Sequence, residues 1–540
     1  MEISDQKIRN DILNYNGSLV VRASAGSGKT TIMVEKIKKV LDEIKDHKTV
    51  VATTFTRKAT QEIRKKYREL GGEKTFLVTT NDSFVEQEII RPFINDAHRT
   101  QEVKWDEVDL SGLNISDYNF NSLDLSDFSN SYDRKDSKAT YGLLLKELID
   151  NHILAKYFDN KNNFKFELAL FILKNSKACK EYLKYKYKMI FIDEYQDSDG
   201  TMHELFMYLN SELGIDIFIV GDVKQAIYLW RGAKEDIFDK IPTNIEQKEL
   251  WHNFRSHFEI VNYAAVIHEP KAIYYISGQS SGRVKIVDLE IRRLGELLNS
   301  SLVDLNREIT IIIRTNQEAQ ELKDELLDNY DLNFEFIPST PLDQNQSENT
   351  FILRLIAKKF YDRNFSMFDF AEECGLEIRK SKIEELNRTF NELINLFNLS
   401  MNEEFNLDLF TKIIQDVSIQ IEISFSESEL MWLKETLSNH TFRDAFVPSK
   451  NKHKIMTIFS AKGLEFEQVI GFGKDYNLKV TNQRNNHYVL VTRAKDKLIL
   501  INGINGINGI NGMNYLEQVD EKISKNSKST SDFFYQHSYF

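Results

Sequence analysis

The chain has 540 residues, 41% hydrophobic and 11% aromatic, and at roughly 150 residues per domain it can bury several cores. Seventy Lys and Arg against 82 Asp and Glu leave a net charge of −12, which argues against a uniformly basic nucleic-acid coat and against binding to anionic membranes, so any nucleic-acid contact has to be a local groove. The two cysteines, Cys179 and Cys374, cannot build a disulfide framework or a zinc cluster, and no run approaches the ~20 apolar residues of a membrane span, so a soluble, cytoplasmic protein without membrane contact is expected.

Six prolines and 22 glycines leave long regular elements and no Gly- or Pro-rich linker, so domain boundaries have to come from changes of pattern. Short β-branched runs alternating with helical periodicity predict parallel strands at 18–22, 49–55, 75–80, 189–193 and 215–220. A second series is predicted at 284–289, 309–313, 334–337, 454–459, 468–472 and 497–501. Each series is broken once by a long stretch without strand pattern. In the second stretch Ile383, Leu386, Phe390, Leu393 and Phe397 recur at helical spacing, which gives one apolar helical face. The expected fold class is therefore α/β, with two parallel sheets each interrupted by a mostly helical insertion. The expected boundaries are 1–90 with 185–265 for the first sheet, 91–184 for its insertion, 266–345 with 450–540 for the second sheet, and 346–449 for the other insertion. Two repetitive segments stand apart. Residues 109–128 form four pentads with Leu110, Ile115, Phe120 and Leu125 in register, which reads either as one turn of a pentapeptide solenoid or as a polar acidic loop. Four copies of Ile-Asn-Gly run from Ile501 to Gly512 and read as a tolerated loop.

The chemistry begins at Ala23-Ser24-Ala25-Gly26-Ser27-Gly28-Lys29-Thr30, between a predicted strand and a predicted helix. Glycines there let backbone N–H groups reach phosphate oxygens at a helix N-terminus; Lys29 suits the β- and γ-phosphates and Thr30 a bound Mg²⁺. The strand Met189-Ile190-Phe191-Ile192 ends at Asp193-Glu194, on the sheet edge where α/β ligands sit. Asp193 is the expected metal carboxylate, and Glu194 the group that orients and deprotonates the attacking water.

Eight segments now stand in order: Ala23 to Thr30, Thr54 to Ala59, Asp193-Glu194-Tyr195-Gln196-Asp197, Gly221 to Gln225, Tyr228 to Gly232, Asn253-Phe254-Arg255-Ser256, Ser460 to Phe466, and Val491-Thr492-Arg493-Ala494. Together they resemble the superfamily 1A helicases of the UvrD/Rep/PcrA type, over nearly the whole chain. That resemblance implies two RecA-like P-loop motor domains (1A and 2A, with insertions 1B and 2B) and ATP or another NTP with Mg²⁺ as cofactors. It further implies that Gln6 reads the base, Phe254 stacks on it, Gln225 and Arg255 contact the γ-phosphate, Glu465 contacts the ribose, and Arg493 is an arginine finger from the second motor domain. Single-stranded DNA would run over Phe55, Tyr228, Trp230, Arg231 and Arg314, where aromatic platforms and basic groups combine. Tyr182 to Lys188 also interleaves aromatic and basic side chains, but reads more simply as a solvated helix flank.

Some residues depart from that pattern. Phe459 stands where the family has His, Asn486-His487-Tyr488 lacks the acidic-arginine lead, and residues 105–133 carry seven acids and no Lys or Arg. Thr79 to Phe84, Phe164 to Leu170, Phe336 to Asp343 and His487 to Lys497 resemble more closely the helicase-like subunits of the Gabija antiphage systems, the GajB family. This implies a partner, a GajA-like OLD-family nuclease in a hetero-oligomer, and a 3′ to 5′ DNA helicase or translocase activity in antiviral defence, with single strands or DNA ends as the nucleic-acid ligand. Two other functions stay open: a DNA-end sensor that hydrolyses NTP to activate the nuclease without processive unwinding, and a housekeeping repair helicase.

Overall fold

The computed structural model describes residues 3–97, 164–226, 236–268, 280–344, 349–374, 380–399, 405–421, 423, 425–447, 451–502, 514–525 and 534–539. Tyr228, Trp230, Arg231, the pentads at 109–128 and the repeat from residue 503 onward lie outside them.

The first sheet has six parallel strands: β1 (Leu19–Ala23), β2 (Thr49–Thr54), β3 (Leu77–Thr80), β4 (Tyr187–Ile192), β5 (Asp216–Gly221) and β6 (Glu246–Leu250), in the order β3-β2-β4-β5-β1-β6. The second has seven parallel strands: β7 (Val284–Asp288), β8 (Ile309–Ile313), β9 (Glu335–Ile337), β10 (His453–Thr457), β11 (Phe466–Phe472), β12 (Ala494–Ile501) and β13 (Gln536–Tyr539), in the order β13-β7-β12-β11-β8-β10-β9. Both are covered on two faces, which is why their central strands read as unbroken apolar runs. In β1, Leu19 and Val21 join one core with Met33 and Val34 of the following helix, while Val20 joins the opposite core with Ile190, Ile192 and Ile219. In the second sheet Val284 and Ile286 face one core, and Val287, Ile309 and Ile311 the other.

Two strands carry no such signal. β6, Glu-Gln-Lys-Glu-Leu, pairs only with β1 and buries only Leu250, and β13, Gln-His-Ser-Tyr, pairs only with β7 and has no buried residue. Edge strands gain ladder hydrogen bonds without needing apolar side chains on both faces. The expected strand 454–459 stops at Thr457, because the Thr457 side chain accepts from Ser460 N–H and caps a short helical turn, Ile458–Ala461.

Between β9 and β10 the described residues form helices at Thr350–Tyr361, Met367–Cys374, Lys380–Leu399, Leu407–Ile421 and Glu427–Ser438, with a core of their own. The expected apolar stripe is there: Ile383, Leu386, Phe390 and Leu393 are buried, with Phe397 packed beside them. Between β3 and β4 the described residues are helical apart from short connections, including Phe164–Asn175 and Lys177–Lys186. The Tyr182 ring carries the Lys186 ammonium at 5.0 Å, and that ammonium also bonds Glu88 at 2.6 Å, which is an intramolecular use of part of the aromatic-basic run.

Candidate nucleotide site between the two sheets

The loop after β1 folds as its glycines predict. Gly26 and Gly28 have φ of +73° and +78°, and a Cβ on Gly26 would lie 2.6 Å from the Asn253 amide. Gly28 is the N-cap of the helix Lys29–Glu43, and no side chain caps that end. Its first N–H groups have no intrahelical acceptor and suit an anion. The loop is strapped from the segment after β6: Phe254 N–H donates to Gly26 O at 2.9 Å, and the Asn253 amide donates to Ala25 O at 2.6 Å. Ala23, Ala25 and Ser27 are buried, while Ser24, Lys29 and Thr30 are half-buried.

Asp193 and Glu194 emerge from β4 beside this loop. Glu194 has φ of +51°, unusual for a residue with a side chain, and three bonds hold it there. Its N–H donates to Asp193 Oδ1 at 2.9 Å, its carbonyl accepts from Asp197 N–H at 3.0 Å, and its carboxylate accepts from the Gln196 amide. Lys29 Nζ lies 3.4 Å from Glu194 Oε2. Burial alone would lower the Lys29 pKa, but the carboxylates of Glu194, Asp222 and Asp193 outweigh it and hold the ammonium above its usual value. Burial would raise the Glu194 pKa, but Lys29, Gln196 and Lys462 bring it below the ordinary value. Asp193, 3% exposed, goes the other way: burial first and the Glu194 charge second push its carboxyl up to about 7. A buried carboxyl so raised is short of positive charge, and Thr30 lies in the first turn of the helix that follows the loop, so the donor set fits a divalent cation.

The residues expected around a bound nucleotide fall into four groups. Gln225 donates to Asp222 Oδ2 at 2.6 Å, within the first sheet's edge. Arg255 reaches across to Glu465 of the second sheet at 2.8 Å. Arg493 is 3% exposed and faces inward: it donates to Val489 O at 3.0 Å and Leu464 O at 2.9 Å. Burial and the neighbouring Arg255 charge lower its pKa to about 10. Gln6 is exposed and bonds Asn10, and Phe254 is exposed, with its ring near Gly28. Of the strand-contact residues, half-buried Phe55 follows β2 and exposed Arg314 follows β8, both at carboxyl ends of strands.

Several residues here were not singled out by the motif reading. Arg9 forks onto buried Asp5 at 2.6 and 3.2 Å, donates to Ser27 O at 2.8 Å, and lies over the Phe254 ring at 4.9 Å. Its only sequence signal is an acid-base pair at i,i+4. Lys462 approaches Asp197 at 3.7 Å across the cleft. Tyr488 and Asn485, on the helix Thr481–Val491, also cross it. Their partners, Ala25 and Asp222 for Tyr488 and Ala226 and His268 for Asn485, are remote in sequence, so no local pattern gives away these contacts.

The amino-terminal part, residues 4–246, matches the model of the UvrD/REP helicase N-terminal domain, and residues 454–501 match the UvrD-like helicase C-terminal domain. Over 507 residues the chain is 37% identical to Gabija protein GajB of Bacillus cereus (strain VD045), a match that covers 91% of this chain and 94% of that protein. The chain belongs to the GajB family, within the UvrD-like helicases. It is also 24% identical to ATP-dependent DNA helicase Rep of Buchnera aphidicola subsp. Schizaphis graminum over 91% of the chain and 92% of that protein. With ATP-dependent DNA helicase PcrA of Staphylococcus epidermidis it shares 24% identity over 90% and 81%. Membership of this family fits an α/β fold of two RecA-like sheets. Among the described residues no helix is long and apolar enough to cross a membrane.

Proposed function

We propose that the chain is a DNA-stimulated, Mg²⁺-dependent nucleoside triphosphatase. On this reading it moves 3′ to 5′ along single-stranded DNA and acts in antiviral defence beside a GajA-like OLD-family nuclease in a hetero-oligomer, in the cytoplasm. The observation that carries it is the cluster of Lys29, Asp193 and Glu194 at an uncapped helix N-terminus, facing Glu465 and Arg493 across a cleft that Arg255 bridges. The motor halves are 1–90 with 185–265 and 266–345 with 450–540, joined through the helix Phe258–His268, and the insertions are 91–184 and 346–449.

Each residue then has a task. Ala23 to Gly28 cradle the phosphates with backbone N–H groups, and Lys29 exchanges Glu194 for the β- and γ-phosphates. Released from Lys29, the Glu194 carboxylate accepts the proton of the attacking water. Thr30 and Asp193 would hold Mg²⁺, which would supply positive charge to offset that of the phosphates. Gln225 and Arg255 contact the γ-phosphate, Glu465 the ribose, and Gln6 and Phe254 the base. Arg493 supplies positive charge where negative charge develops on the γ-phosphate, which ties hydrolysis to closure of the cleft. Phe55, Tyr228, Trp230, Arg231 and Arg314 hold the strand. Lys29→Ala abolishes hydrolysis on this reading, and turnover near the unsubstituted rate would sink it.

One observation favours a second reading, a DNA-end sensor that hydrolyses NTP to activate its partner without processive unwinding. Arg493 is bonded to carbonyls of its own motor half, Val489 O in the preceding helix and Leu464 O before β11, so catalysis waits for a rearrangement that a bound DNA end could supply. Strand-displacement assays with and without the nuclease separate the two: hydrolysis stimulated by single strands with no displacement leaves only the sensor.

A further inference from the structure

The helix Arg57–Glu69, which begins just after β2, carries six basic residues, Arg57, Lys58, Arg64, Lys65, Lys66 and Arg68, against two acids, in a chain whose net charge is −12. Ile63 and Tyr67 bury its inner face in the core of the first sheet. At 3.6 residues per turn Arg57, Gln61, Arg64 and Arg68 fall within about 60° of one another and form one row about 16 Å long. The row starts two residues after Phe55, and Arg64 donates to Val78 O of β3, the edge strand of the sheet, at 2.6 Å. At its other border Arg57 donates to Asn349 Oδ1 at 3.3 Å and Gln61 to Glu373 O, both in the helical insertion.

The counter-ions set this row apart. On other helical faces basic residues meet acids one turn away: Lys38 with Asp42, Lys66 with Glu62, Lys177 with Glu181 and Lys525 with Glu521. Among the described residues Arg57, Arg64 and Arg68 form no ion pair, and each gives an N–H group to a neutral oxygen instead. Partial desolvation, and then the charges of Arg57 and Arg68, lower the Arg64 pKa. Like charges one turn apart work against a helix, so the row suits an anion from outside, and guanidinium forks match phosphate oxygens.

We infer that Arg57, Arg64 and Arg68 form a phosphate track along which single-stranded DNA continues once it has passed Phe55 and left the cleft. The inference rests on the strand-binding reading above. An acidic protein face would meet the same charge, but the row begins beside a strand-contact residue at the carboxyl end of β2, which favours the nucleic-acid backbone. Such contacts lengthen the bound stretch and hold its register without reading sequence.

The test titrates the full chain with labelled oligodeoxythymidines of about 8 and about 30 nucleotides at several salt concentrations. The unsubstituted protein is compared with Arg64→Gln plus Arg68→Gln, with Arg68→Gln alone, and with Lys65→Gln plus Lys66→Gln, in which acid-paired lysines of the same helix lose their charge. The arginine pair is expected to lose on the order of tenfold in affinity for the long strand and about 1.4 from the slope of log affinity against log salt, at about 0.7 per phosphate, while binding the short strand as before. Arg68→Gln, whose bond is to its own helix, gives about half of that slope change even where the pair fails to fold. An unchanged slope, the result a protein-docking face gives, overturns the inference, as does an equal loss on the short strand or in the lysine control. An unsubstituted chain that binds neither strand removes the strand-binding reading along with it.

Discussion

The two sheets share a topology class and differ in what they bury at the cleft. The first brings carboxylates and a lysine into a low-dielectric edge and leaves Asp193 raised to about 7. The second places behind its cleft helix two histidines that burial holds neutral, His487 at about 3 and His268 at about 4. One edge is therefore short of positive charge and suited to a cation and phosphates. The other avoids acquiring charge and presents a hydroxyl, an amide and an inward-turned arginine. On the proposed reading hydrolysis needs both, because the sheet assigned to the phosphates does not itself carry the group expected to stabilise their transition state.

The sharpest way to break this division is Arg493→Ala. If the second sheet supplies the finger, turnover falls on the order of 10³-fold or more while ATP affinity changes little. A fall under tenfold in single-turnover kinetics moves the finger elsewhere. Next in size is strand binding. Trp230→Ala is expected to cost roughly 1–3 kcal/mol by stacking, with the salt dependence of binding unchanged. Arg314→Ala, on the second sheet, should instead reduce the slope of log affinity against log salt by about 0.7. Titrations at several salt concentrations read both, and equal slopes for all three proteins remove Arg314 from the track. The smallest effect concerns acid, where the sheets respond with opposite sign. The unfolded histidines titrate near 6.5, so the folded chain refuses protons that the unfolded chain accepts below that pH. Their contribution is complete above about 6.5 and falls by about 1.4 kcal/mol per pH unit for each histidine as pH drops toward 4. Asp193 runs the other way, its contribution present below 3.8 and lost as pH rises through about 7. His487→Asn should flatten the acid limb of the unfolding midpoint and Asp193→Asn should steepen it. Identical profiles for the two variants contradict the contrast.

Much of this was legible in the sequence, for identifiable reasons. Buried parallel strands announce themselves because both faces must be apolar, which is why Ile309–Ile313 and Met189–Ile192 could be read directly. The phosphate loop was legible because glycine is required where φ is positive. What escaped has equally plain causes. β6 and β13 are edge strands whose ladders make few demands on side chains. The left-handed backbone of Glu194 is imposed by Asp193, Gln196 and Asp197 and carries no residue signature. Arg9, Asn485 and Tyr488 meet backbone atoms or rings remote in sequence, such as Tyr488 with Ala25, and only the folded chain brings these together.

The strand order also sets a sequence in time. Every strand of the first sheet lies within residues 19–250, so that sheet is complete in the nascent chain before half of the protein exists. β7 is different: its neighbours are β12 and β13, residues 494–501 and 536–539, and β8 waits for β10 and β11. At about 5–20 residues per second, the second half is held open on the ribosome for tens of seconds after the first has closed. On the proposed reading the cell thus makes the phosphate cradle early and its cover last, and a growing chain has no complete site with which to consume nucleotide.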